Sequence, residues 1–178
     1  MSIRDLQQAV RAAQRTIQAW EKSNTDPLEE RTRSELIDPV LKALGWPVNY
    51  GQRSRRNRKP CITEYYPYED FAYRVDYAMF DNHGKEVIII EAKHFLEHTK
   101  DHYLQLADYC DDARNMKAVL TNGEYWNVVV FDQRGIVHEE NPISIMWDNS
   151  GETVDHLYRL LSREHNRVNP NSSVTWKR

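Results

Sequence analysis

A carboxylate and an ammonium close the apolar run Val87-Ile-Ile-Ile-Glu91-Ala92-Lys93, and a second carboxylate, Asp76, sits in the preceding stretch Tyr73-Arg-Val-Asp76-Tyr. Side chains alternate along a strand, so Glu91 and Lys93 project to one side while Val87 and Ile89 carry that face back into the core. Asp76 joins them if its own strand pairs alongside. Three charges beside an apolar run are costly to bury unless they pair with one another or bind a metal. A divalent cation is therefore expected there, and hydrolysis of a phosphodiester is the chemistry that such a cluster suits. A structural network of salt bridges among the three is the competing reading.

The flanking pattern supplies elements that could bring these residues together. Ile3, Leu6, Val10, Ala13, Ile17 and Trp20 recur at helical spacing and predict an amphipathic helix over about 1–22. Asn24-Thr-Asp26-Pro27 reads as the start of a second helix, with a capping side chain and a proline in its first turn. Its apolar positions Leu28, Leu36, Ile37, Val40, Leu41 and Leu44 run to Gly45, with a kink or a restart at Asp38-Pro39. Cys61 to Tyr66, Tyr73 to Phe80 and Glu86 to Glu91 are rich in β-branched and aromatic residues, and Asp81-Asn-His-Gly84 is a turn that would set Asp76 beside Glu91. A helix over about Leu96 to Met116 follows, then strands at Ala118 to Thr121 and Trp126 to Phe131 around the turn Asn122-Gly123, and a last helix over Val154 to Leu161. The order predicts an α/β fold, a mixed sheet flanked by helices, in one domain spanning 1–178, with the N-terminal helix over 1–22 and a C-terminal helix and tail over 150–178.

Composition narrows the class. The chain has 178 residues, 40% of them hydrophobic and 29% charged, which is globular rather than disordered. No apolar run approaches bilayer length and the N-terminus lacks the apolar stretch of a signal peptide, so a soluble, cytoplasmic protein with no membrane partner is expected. Two cysteines, Cys61 and Cys110, are too few for a disulfide framework or a four-cysteine zinc site. The formal charge of -3 hides a local concentration, because Arg53, Arg55, Arg56, Arg58 and Lys59 place five positive charges within seven residues. A loop of that kind is suited to DNA phosphates, although a solvated loop without a ligand has the same composition.

The blocks Ser34-Glu-Leu-Ile-Asp-Pro-Val-Leu-Lys-Ala-Leu-Gly-Trp46, Glu64-Tyr-Tyr-Pro67, Arg74-Val-Asp-Tyr77, Ile90-Glu-Ala-Lys93, Gln105-Leu-Ala-Asp-Tyr109 and Leu120-Thr-Asn-Gly123 occur in that order. Together, over a family-like core of about 28–132, they resemble the N-terminal nuclease domain of type I restriction enzyme R subunits, within the PD-(D/E)xK superfamily. Val75 stands where the proline of the superfamily name would precede Asp76. The resemblance implies a restriction-endonuclease-like fold and a metal-dependent cut in DNA. Asp76, Glu91 and the Ala92 carbonyl would hold Mg²⁺, with Mn²⁺ as a substitute, and Lys93 would orient the attacking water and stabilise developing charge. Glu35 matches an acidic residue that completes such sites, and Gln105 with Tyr109 would face the metal or the DNA from one side of a helix.

The expected function is therefore a DNA endonuclease of restriction or genome-defence type, and the alternative is an idle nuclease fold that binds DNA or a partner subunit. The chain holds no G-x-x-x-x-G-K-[ST] phosphate loop, so it cuts without translocation, borrows a motor, or is a fragment. Double-strand cleavage would call for a homodimer or two successive nicks. No base-reading module that can be named is visible, so contacts would be dominated by phosphates, and motor or specificity partner subunits are an expected option. His94, His98 and His102 have the spacing of a helical metal site, but Lys93 ends a strand and His94 is expected in a turn.

Overall fold

The computed structural model of the chain describes residues 2–48, 60–66, 74–97, 116–132, 134, 137–146 and 151–166. It opens on helix α1, Ile3–Ser23, fixed at its start by a reciprocal cap. The Ser2 hydroxyl accepts the Asp5 N–H at 3.3 Å, and the Asp5 carboxylate accepts the Ser2 N–H at 2.8 Å. Leu6, Val10, Ala13, Ile17 and Trp20 form its buried stripe, while Ile3 lies at the surface.

The second helical stretch departs from the sequence expectation at both ends of its first half. Asn24 does not start it; its left-handed backbone closes α1. Asp26 does not cap it either, because its carboxylate pairs with His94 at 2.9 Å. Helix α2, Glu29–Thr32, passes directly into a π-helical turn over Arg33–Ile37 and then into α3, Asp38–Ala43. Pro39 explains the wide turn. Proline offers no N–H, and its ring collides with the carbonyl four residues back, so the ladder widens and the Asp38 N–H bonds the Arg33 carbonyl instead.

Strands β1 (Cys61–Tyr65), β2 (Val75–Phe80), β3 (Glu86–Ala92), β4 (Met116–Thr121), β5 (Tyr125–Phe131), β6 (Val137–Glu139) and β7 (Ile143–Ser144) form one mixed sheet. Its order is β1-β2-β3-β4-β5-β6, with β7 also on β5. Of these pairs β3 and β4 run parallel and the others antiparallel. β2 and β3 form the predicted hairpin, in which the Asp81 carboxylate accepts the His83 and Lys85 N–H groups. β6 and β7, too short to carry a readable alternation, are additions to the expected set.

The α/β class is thus present, with the described helices packed on one side of the sheet. Tyr77, Met79, Ile88, Ile90, Val119, Trp126 and Val128 meet α1, the π turn, α3 and the C-terminal helix α4, Glu152–Leu161, in the larger core. Ala78, Ile89, Ala118, Leu120 and Val129 point to the opposite face and form a second cluster. Simple alternation puts Val87 on the Ile89 face, but it belongs to the larger core. The register jumps from Met79–Ile88 to Phe80–Glu86, which makes Val87 the extra residue of a bulge.

Two contacts fasten this frame. Gly123 (φ +86°) follows β4 so closely packed on the π turn that an added Cβ would stand 2.6 Å from Leu36 Cβ and 2.8 Å from its Cδ1. On the far side, the Lys117 ammonium of β4 donates to the Leu160 carbonyl at 2.6 Å and to the Asn166 side chain at 2.7 Å, closing the end of α4. Burial pushes this amine down to about 8, against the opposing pull of Glu140. Among the described residues, no helix is long and apolar enough to cross a membrane.

Gly123→Ala is expected to lower stability by about 2–4 kcal/mol, from left-handed strain plus overpacking, read as a reduced urea midpoint with unchanged m. Lys117 gives a pH dependence of defined sign. Between about 8 and the ordinary 10.5, the unfolded chain keeps a proton that the folded chain has released, so this residue's contribution to stability improves as pH rises through that window. Denaturation of wild type and Lys117→Met at pH 7 and pH 9.5 should show wild type gaining on the variant at the higher pH.

Candidate active site

The register that pairs Tyr77 with Ile90 sets Asp76 opposite Glu91, one step further along β2 and β3. Directly opposed residues of an antiparallel pair share a face, so both carboxylates lie on the side of Ala78 and Ile89. Lys93 follows β3, where its N–H donates to the Thr121 carbonyl at 2.8 Å and so continues the parallel pairing by one residue. Its ammonium lies 2.9 Å from Glu91 Oε1, and both residues are buried, 9% and 7% exposed. The structure thus brings Asp76, Glu91 and Lys93 together, as the spacing predicted, with Ala92 between the last two.

The partner of Asp76 is a residue that sequence reading passed over. Arg33, on the first position of the π turn, places Nη1 2.7 Å from Asp76 Oδ1 and 2.8 Å from Glu64 Oε1. Asp76 Oδ2 accepts the Ala92 N–H at 2.8 Å. The Arg33 guanidinium lies 5.0 Å from the centre of the Tyr77 ring, and its Nε donates to the Tyr77 hydroxyl at 3.3 Å. That hydroxyl in turn donates to Asp38 Oδ1 at 2.8 Å, at the other end of the π turn. Arg74 closes the outer side, 2.5 Å from Glu64. Arg33 and Glu64 also line a surface cleft of about 500 Å³ with Leu28, Glu30, Arg31 and Ser34.

The electrostatics follow from burial and like charge. Loss of hydration, then the charge of Asp76, push the Glu91 carboxyl up to about 7 despite the Lys93 ammonium beside it. Burial likewise raises Asp76, with Arg33 and the Ala92 N–H pulling the other way. Burial works against the Arg33 charge, but Asp76 and its other partners outweigh it and hold the guanidinium protonated more firmly than usual. Glu29, in the first turn of α2, is raised by partial loss of hydration and then by Asp76, so its charge too is felt at this cluster.

Glu35 does not join these groups. It lies outward on the π turn in an ion pair with Arg31 at 2.6 Å, with its side chain 39% exposed. The helix acid whose charge is coupled to Asp76 is Glu29, in the turn before it. His94 sits in a turn, where its Nε2 pairs with Asp26 and its Nδ1 accepts the Leu96 N–H at 3.3 Å. Gln105, Tyr109, His98, His102 and the basic residues Arg53, Arg55, Arg56, Arg58 and Lys59 lie outside the described residues. Arg33 and Glu29 had one visible signal, being charged residues set four apart on the stripe that continues through Leu36, Ile37 and Val40.

A cation at this cluster would meet only oxygen donors. Among the described residues, no group of three or more His, Cys, Asp or Glu side chains is arranged to hold a metal. Two carboxylates and a peptide carbonyl are all hard oxygen donors, a combination that suits Mg²⁺, which is bound through one or two carboxylates and keeps its other positions for water and phosphate. The charge of Asp76 raises the affinity of Glu91 for a proton, a repulsion that a cation between them would relieve.

A family model described as the type I restriction enzyme R protein N terminus matches residues 29–140, well over half of the chain, from Glu29 of α2 to just beyond β6. No curated protein and no solved structure matches.

Proposed function

This chain belongs to the family of the type I restriction enzyme R protein N terminus, and we propose that the Asp76, Glu91 and Lys93 cluster cuts DNA with the help of Mg²⁺ or Mn²⁺. The observation that carries the reading is the placement of two opposed carboxylates from β2 and β3 beside a buried ammonium, where apolar packing would otherwise be cheaper. Buried charge maintained at a sheet end is a mark of function rather than of stability.

Asp76, Glu91 and the Ala92 carbonyl would hold the cation. A divalent ion there supplies Lewis acidity at the phosphate under attack. Lys93 complements it, because its ammonium, held by Glu91 Oε1, stands ready to orient water and to stabilise the negative charge that grows in the transition state. Glu91 would serve both groups, since it must be ionised to hold a cation and its Oε1 already neutralises the Lys93 ammonium. Arg53, Arg55, Arg56, Arg58 and Lys59 would grip the flanking phosphates, a contact that orients DNA without reading its sequence. Sequence choice and any translocation would come from partner subunits, as expected of a type I assembly.

A second reading has one observation in its favour. Arg33 and Lys93 already neutralise the two carboxylates, so the cluster is self-sufficient in charge. On that reading the fold binds DNA or a partner without cutting.

Incubation with supercoiled plasmid and linear duplex in Mg²⁺, Mn²⁺ or EDTA separates the two. The cutting site predicts metal-dependent nicking that Lys93→Ala lowers by about 10²–10³-fold with little loss of DNA binding; no cleavage under any condition, with DNA binding intact, would establish the idle module. Replacing Arg55 and Arg56 together with alanine should weaken DNA binding and reduce the slope of log K against log salt by about 2, as two lost phosphate contacts require, in a fluorescence-anisotropy titration. An unchanged slope would remove the basic segment from the interface.

A further inference from the structure

Among the described residues, one buried and heavily anchored charge has no step in the proposed chemistry. Arg33 is 8% exposed, and its side chain is held from four sides: Asp76, Glu64, the Tyr77 hydroxyl and the face of the Tyr77 ring. Its backbone carbonyl is held as well, by the Asp38 N–H across the π turn, and the Asp38 carboxylate fixes the Tyr77 hydroxyl. The turn therefore secures both ends of one chain of contacts, Arg33 to Tyr77 to Asp38. A guanidinium fixed in this way is not poised to swing out and admit an ion.

Asp76 is fixed through both oxygens, by Arg33 on Oδ1 and by the Ala92 N–H on Oδ2. A carboxylate oxygen has two lone pairs, so each keeps acceptor capacity for a cation while its orientation stays set. We propose that Arg33 is the positioning residue of the site, and that it holds Asp76 in the orientation in which it shares a cation with Glu91. This inference rests on the metal-site reading above. It also gives the π turn a role, since that turn exists because of Pro39 and delivers Arg33 to the sheet end.

Charge alone predicts the opposite effect. Removing a cation beside a metal site should tighten binding of a divalent ion. Removing a group that orients a ligand should weaken it, by about ten- to hundredfold for outer partners of metal ligands. Arg33→Met and Arg33→Lys therefore discriminate, since lysine keeps the charge but loses the planar fork that spans Asp76, Glu64 and Tyr77.

The test is a Mn²⁺ titration of the full chain without DNA, followed by electron paramagnetic resonance of the free ion, on wild type, both Arg33 variants and Lys93→Met. Circular dichroism checks that each is folded. The expected result is a tenfold or greater loss of affinity in Arg33→Met and a loss of several-fold in Arg33→Lys, with Lys93→Met binding no more weakly than wild type. If Arg33→Met does not fold, Arg33→Lys decides alone. Binding by folded Arg33 variants as tight as wild type or tighter would overturn the inference and leave the metal site standing. No Mn²⁺ binding by wild type would remove the metal site itself, and this inference with it.

Discussion

Asp76 and Glu91 face one another across two antiparallel strands at the end of an apolar sheet, and like charges so placed repel in a setting that hydrates neither well. That repulsion organises what surrounds it. Arg33 reaches Asp76 from the π turn, Lys93 reaches Glu91 from the end of its own strand, and the Ala92 N–H adds a third favourable contact. Buried ion pairs of this type contribute little net stability compared with apolar packing, because desolvation offsets most of the attraction. Loss of one member is another matter, since it strands an uncompensated charge. The cluster is thus a costly arrangement to maintain and a damaging one to break, which is the energetic profile of a site rather than of a scaffold.

The two sides of the sheet divide the work. The larger core, with α1, α3 and α4 on Tyr77, Ile88, Ile90 and Trp126, carries the bulk of the burial. The charged cluster lies where the second face runs out, past Ala78 and Ile89. Tyr77 joins the two. Its ring packs in the core while its hydroxyl accepts from Arg33 and donates to Asp38, so a core residue sets the position of a charge at the site.

Much of this is legible in the residues, and the limits have physical causes. Period-two alternation and the Asp81–Gly84 turn suffice to place Asp76 beside Glu91 and to send Lys93 to the same side. Alternation cannot foresee the bulge at Val87, because a bulge depends on how the partner strand is spaced. Helical periodicity likewise assumes a constant rise per turn. Pro39 breaks that assumption with a single widened turn, whose Glu35 pairs outward with Arg31, while the acid whose charge reaches Asp76 is Glu29 of the preceding turn. Asn24 and Asp26 have the residue types of a helix start, yet one closes the preceding helix and the other pairs with His94, choices settled by tertiary contacts. β6 and β7 are too short for any period to show.

The turn after β4 shows how far the site depends on residues without chemistry. The Thr121 carbonyl takes the Lys93 N–H, and the Asn122 amide donates to the carbonyls of Phe95 and Glu97, so the segment that leaves Lys93 is held along its length. The Asn122 oxygen accepts the N–H groups of Glu124 and Tyr125, which fixes the turn itself. Gly123 then lets Leu36 of the π turn approach to a distance that no side chain would allow. One three-residue turn therefore braces the strand end that bears Lys93 and the helical turn that bears Arg33, from opposite sides of the sheet. Arg33 and Lys93 are the two cations that neutralise Asp76 and Glu91, so Thr121-Asn122-Gly123, three uncharged residues, help hold both cations against carboxylates that the β2–β3 register places. The close approach at Gly123 is what lets an apolar core and a charged site share one rigid joint.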